Sequence, residues 1–141
     1  MTSVALAYLG LAGRAGSADP LQIDSAIQRG FPASALLVLK KTTGFTFDEI
    51  ATLLDVSAKT IERAISHGAR LGHGVSDRLY RVASVLALAE RVLEDRQQAR
   101  AWLHETQHGL AGRTPVDLLA TEAGSREVES LLGRIEHGFL A

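Results

Sequence analysis

Residues that open α-helices recur along the whole chain at intervals of one short helix. Asp19 stands before Pro20, Thr46 stands three residues before Glu49, and Ser57 follows closely. Ser76, Asp95 three residues before Gln98, Thr114 before Pro115, and Ser125 continue the series. A Ser, Thr or Asp side chain accepts a hydrogen bond from the free N–H groups of a first helical turn, and a Glu or Gln three residues on returns the bond. Behind these openers the apolar residues repeat with a helical period, and nowhere do β-branched or aromatic residues alternate with polar ones over a useful length. The pattern predicts an all-α chain.

The apolar sides can be read in order. Leu21, Ile23, Ala26 and Ile27 face inward on a first helix that Gly30 stops. A second helix opens near Pro32, carries Leu36, Leu37 and Leu39, and ends at Gly44, where glycine tolerates positive φ. The third has Ile50, Ala51 and Leu54 inward and stops at Asp55, Val56 and Ser57, after which Ile61, Ala64 and Ile65 line a fourth. Glycines between His67 and Gly74 mark a loop between lobes. The longest helix, capped by Ser76, carries one stripe of Leu79, Val82, Ala83, Leu86 and Leu93 and a second of Val85, Leu88 and Val92. So wide an apolar arc suits a spine or half of a dimer contact. Ala99, Trp102 and Leu103 face inward on the next helix, which stops at Gly109; Leu118 and Leu119 follow on a short one. Val128, Leu131, Leu132 and Ile135 line the last helix, from Ser125 to Gly138. The stretch from Ala12 to Ala18 has no periodicity and reads as a flexible arm.

Composition narrows the function classes. With no cysteine among 141 residues, disulfide frameworks and thiolate chemistry are excluded. The apolar run from Val4 to Ala12 is too short to span a bilayer and has no basic residue before it, so a cytoplasmic protein with no membrane partner is expected. Charge is unevenly distributed although the net value is only -1. Lys59, Arg63, Arg70, Arg78 and Arg81 outnumber Glu62 and Asp77 in the middle, whereas Asp117, Glu122, Glu127, Glu129 and Glu136 outnumber Arg113, Arg126 and Arg134 near the end. Two surfaces with different partners would produce this distribution; ordinary solvated helix faces would as well.

Phe47 to Ser66 has the layout of a helix-turn-helix, with small Ala51 allowing close approach of the two helices. Ser57, Lys59, Thr60, Glu62, Arg63 and Ser66 then face DNA. Arg63 is the base reader, since a guanidinium can donate two bonds to guanine, while Lys59 and Arg70 bind phosphate. A helical hairpin that only packs is the alternative. His104 to His108 spells H-E-x-x-H, which on a helix sets two histidines one turn apart for zinc and a glutamate for activating water. A third ligand is not indicated by any partner motif, although Glu122 or Glu127 could be proposed, and a histidine at a helix C-terminus is favoured by the dipole alone. Phosphate-cradling loops and nucleophile elbows are absent from the sequence. The chain reads as a binding protein with no catalytic residues, no metal and no cofactor.

A more specific pattern lies in the second half. Ala99, Trp102 and Leu103 are followed by Leu110, Gly112, Thr114, Pro115, Leu118 and Leu119, and then by Gly124, Val128, Leu132, Ile135 and Gly138. From about Gly30 onward this order resembles the Xre/MbcA/ParS family of bacterial type II antitoxins, with Ala111 where the family usually has the first of two glycines. The first thirty or so residues are not covered by the resemblance and read, from their own pattern, as an N-terminal arm and short helix over 1–30. For the rest the resemblance implies an Xre-like helix-turn-helix DNA-binding region over 31–75, and a helical toxin-binding and dimerisation region over 76–141. It also implies a RES-domain toxin that degrades NAD as partner, and repression of the antitoxin's own operon by a homodimer on operator DNA within a larger toxin-antitoxin complex. The implied toxin contacts are Gly112, Thr114 and Pro115 together with Arg134, Glu136, His137, Gly138, Phe139, Leu140 and Ala141. Apolar residues at an exposed chain end suit an interface anchor. A stand-alone helix-turn-helix repressor and a zinc hydrolase are the competing expectations.

Overall fold

The computed structural model describes residues 2–11 and 19–138. Among these residues every regular element is helical: α1 (Thr2–Ala7), α2 (Pro20–Arg29), α3 (Ser34–Thr43), α4 (Phe47–Leu54), α5 (Ala58–Ser66), α6 (His73–Leu93), α7 (Arg96–Leu103), α8 (Pro115–Leu118) and α9 (Glu122–Glu136), with a short 3-10 turn at His108–Leu110. Among the described residues, β pairing is limited to two isolated antiparallel bridges, Pro32 with Arg70 and Gln107 with Arg113. The helices form two compact units, one ending at Ser84 and the other beginning at Val85, so the division falls inside α6.

In the first unit α3, α4 and α5 pack on one another. Phe31, Leu36, Leu39, Phe45, Ile50, Leu54, Ile61 and Leu79 are buried there, each contributing about 1.5–3 kcal/mol of apolar transfer. The helix ends follow local chemistry. Asp19 accepts from Leu21 N–H at 3.0 Å, and Thr46 and Glu49 close the reciprocal capping box. Gly44 ends α3 with φ 78°. Four readings change in this unit. Leu21 is 77% exposed and lines an open groove with Leu6, Leu11 and Phe31. Leu37 is 45% exposed, because Leu36 and Leu39 already occupy the inner face of α3. Ser76 does not cap α6, which begins at His73; it is fully buried within the helix, and its Oγ accepts from Phe31 N–H at 2.9 Å. A hydroxyl buried this deeply needs such a partner. Lastly, α1 falls where the sequence shows only a short apolar run, and it buries Ala5 and Leu6.

In the second unit α8 packs on α9 and α7 packs on α8. Ala99, Leu103, Leu119, Val128, Leu131 and Leu132 are buried. Asp95 caps α7 by accepting from Gln97 N–H at 2.9 Å. The helix ends at Leu103, well before Gly109. The last helix starts earlier than Ser125: Thr121 is its N-cap, accepting from Gly124 N–H at 2.9 Å. Ser125 is buried, and its Oγ donates to the Leu119 carbonyl at 3.4 Å. Among the described residues no helix is long and apolar enough to cross a membrane.

Candidate nucleic-acid and partner interfaces

Helices α4 and α5 are separated by Asp55, Val56 and Ser57. Asp55 takes the left-handed conformation, φ 55° and ψ 46°, which aspartate tolerates better than most residues. Its N–H donates to the carbonyls of Ala51 and Thr52, closing α4. Ser57 Oγ accepts from Thr60 N–H at 3.0 Å and lies 2.8 Å from Thr60 Oγ1. The start of α5 is therefore closed by its own side chains. Ile61 anchors α5 on the inside, while Lys59, Thr60, Glu62, Arg63 and Ser66 are exposed.

The candidate DNA-facing residues divide by what else they do. The hydroxyls of Ser57 and Thr60 are engaged in capping, and Ser66 Oγ donates to the Arg63 carbonyl at 3.1 Å. Lys59 and Arg63, one helical turn apart, have no side-chain partner among the described residues. They remain open donors. Arg70 lies beyond the helix, and its Nη1 donates to the Gly30 carbonyl at 2.8 Å, which leaves the rest of its guanidinium for another acceptor. A contact that sequence reasoning missed is Arg78 Nη1 donating to the Leu54 carbonyl at 3.2 Å. The available signal was the need of a helix C-terminus for outside donors, but spacing alone does not name the residue that meets it.

The His104 to His108 segment is not a zinc helix. His104 is the C-cap of α7, with its Nδ1 3.0 Å from the Arg100 carbonyl, and His108 begins the separate 3-10 turn. The i, i+4 geometry that zinc binding requires is therefore lost. Instead Gln107 folds the segment: its N–H donates to the Arg113 carbonyl at 3.0 Å, and Gly112 N–H donates back to Gln107 at 3.0 Å. Ala111 stands at the left-handed position of this hairpin, φ 56° and ψ 35°. Glycine would adopt that conformation without steric cost.

Of the candidate toxin contacts in this region, Gly112 is exposed, Thr114 is half-buried while capping α8, and Pro115 is buried. At the end of α9, Arg134 Nη1 donates to Ser130 Oγ at 3.2 Å, and His137 and Gly138 are exposed. Glu136 is engaged by Arg91 in a two-pronged ion pair. Phe139, Leu140 and Ala141 lie outside the described residues.

Comparison with known proteins follows this division. Residues 22–84 match the model of the antitoxin Xre-like helix-turn-helix domain, and residues 88–138 match that of the antitoxin Xre/MbcA/ParS C-terminal toxin-binding domain. The chain is 30% identical over 122 residues to Antitoxin Xre of Pseudomonas putida, covering 86% of this chain and 76% of the relative. It is 29% identical to Antitoxin Xre of Yersinia enterocolitica, covering 89% and 85% of the two chains. In fold it resembles a chain of the M. tuberculosis MbcT-MbcA toxin-antitoxin complex, with TM-score 0.57, 24% identity, and coverage of 77% of this chain and 96% of that one. An N-terminal helix-turn-helix domain followed by this C-terminal domain, shared over most of the length of the curated relatives, shows that the chain belongs to the Xre family of antitoxins.

Proposed function

We propose that this antitoxin binds and inhibits a RES-domain toxin that degrades NAD, and that it represses its own operon as a homodimer on inverted-repeat operator DNA in the cytoplasm. The observation that carries the reading is the presence in one chain of a matched toxin-binding domain over residues 88–138 and a helix-turn-helix whose Lys59 and Arg63 are open donors. The chain performs no catalysis of its own in this scheme: it occludes the toxin, and transcription is blocked by occupancy of the operator. Arg63 reads a base, and Lys59 neutralises phosphate, joined by the donors of Arg70 not spent on Gly30.

Titration of the protein's own promoter DNA at several salt concentrations tests the DNA half. Arg63→Ala should lose about 1–3 kcal/mol of preference for the operator, whereas Lys59→Ala should weaken all sequences alike and lower the salt slope by about 1. Equal binding by wild type and the double variant would remove DNA reading from α5.

For the toxin half, Gly112, Thr114 and Pro115 belong to one contact region, and Arg134, His137 and Gly138 lead into Phe139, Leu140 and Ala141 as the second. Deleting the residues after Gly138 should reduce toxin inhibition while operator binding persists, because the deleted residues lie outside the matched helix-turn-helix domain. Full inhibition by the truncated chain would shift the contact to Gly112 and the following short helix.

A further inference from the structure

Helix α4 ends where the proposed reading unit turns, and its last carbonyls need donors from outside the helix. The N–H groups of Asp55 and Val56 serve Ala51 and Thr52. The terminal carbonyl, that of Leu54, is met by the guanidinium of Arg78, twenty-four positions further along and half-buried on α6. The cation sits at the negative end of α4, where the helix dipole favours it. The next residue is Asp55 with its left-handed backbone. One side chain thus ties α6 to the point where the chain reverses into α5.

We propose that Arg78 is a positioning residue for DNA reading: by holding the Leu54 carbonyl it fixes the α4–α5 turn and so the direction in which Lys59 and Arg63 project. The inference rests on the DNA-binding reading above. From charge alone Arg78 would count as a phosphate contact, and the two roles respond differently to salt. Losing a phosphate contact removes one counterion release and lowers the slope of log K against log salt. Losing a positioning bond instead lowers the fraction of molecules whose turn is competent to bind, which reduces affinity at an unchanged slope because the complex that forms keeps every phosphate contact.

The test uses the full chain carrying Arg78→Met, which keeps the apolar stem and removes the donors, beside Arg78→Lys, which restores a cationic donor group. Operator affinity is measured across salt, helix content by circular dichroism, and amide hydrogen exchange at Asp55 and Val56. Arg78→Met is expected to keep its helix content, to bind operator about tenfold more weakly at an unchanged salt slope, and to exchange faster at both amides. Arg78→Lys should recover most of the affinity. A slope lower by about 1 would make Arg78 a phosphate contact and overturn the proposal. Unchanged affinity would overturn it too, and an unfolded Met variant would assign Arg78 to the fold at large. Should wild type itself fail to bind its promoter, the DNA-binding reading falls, while the exchange comparison still reports whether Arg78 holds the turn.

Discussion

Gly124→Ala is expected to destabilise the protein by about 3 kcal/mol or more and to abolish toxin inhibition. A Cβ at position 124 would stand 2.0 Å from the Leu118 carbonyl oxygen and 2.9 Å from its carbon. Both atoms are backbone, so no side-chain rotation relieves the clash, and α8 and α9 must separate. Separation would also break the bond from Ser125 Oγ to the Leu119 carbonyl and disturb the cap that Thr121 makes on Gly124 N–H. The fully buried Leu119 and Val128 would then lose close packing. Urea unfolding followed by circular dichroism measures the loss. A change below about 1 kcal/mol would mean that the close approach of α8 to α9 does not hold.

Gly30→Ala should cost as much in the first unit, for two combined reasons. Gly30 has φ 88° and ψ 132°, a region closed to side chains. Its Cβ would also lie 2.0 Å from the Leu71 carbonyl oxygen. The glycine ends α2 by donating to Ala26 and Ile27, and its carbonyl receives Arg70 Nη1. Beside it, Leu71 N–H donates to the Phe31 carbonyl at 2.8 Å, and Ala33 N–H donates to Ala69 at 2.9 Å. These bonds close the segment after α5 onto the segment before α3. Alanine here is expected to lower stability by about 3–5 kcal/mol, with loss of operator binding. Wild-type melting and wild-type operator affinity would show that the seam is dispensable.

The parts of the fold legible in the sequence are those that short-range chemistry decides. The capping box of Thr46 and Glu49, the left-handed Asp55 and the Ser57 cap are each complete within a few residues, so the helix-turn-helix could be read directly. The stripe Val128, Leu131 and Leu132 was equally legible, because period and burial coincide. Tertiary pairing decided the rest. Ser76 and Ser125 look like caps, but the Phe31 N–H, 45 positions away, and the Leu119 carbonyl, 6 positions back, engage their hydroxyls in the interior. The histidines at 104 and 108 match a helical metal motif until Gln107 folds that segment into a hairpin with Arg113. Among the candidate contacts, the exposure of Lys59 and Arg63 follows from Ile61 facing inward. The bonds of Arg70 and Arg78 to carbonyls 40 and 24 positions away could not be read from spacing.

Under the proposed function the most direct measurement follows NAD in a reaction containing the purified product of a gene adjoining that of this chain, tested as the toxin, with increasing amounts of the antitoxin. NAD consumption that stops at stoichiometric antitoxin, with the two proteins co-purifying, is the expected result. NAD loss at an undiminished rate in an excess of the intact, folded chain would contradict neutralisation of that toxin by this protein.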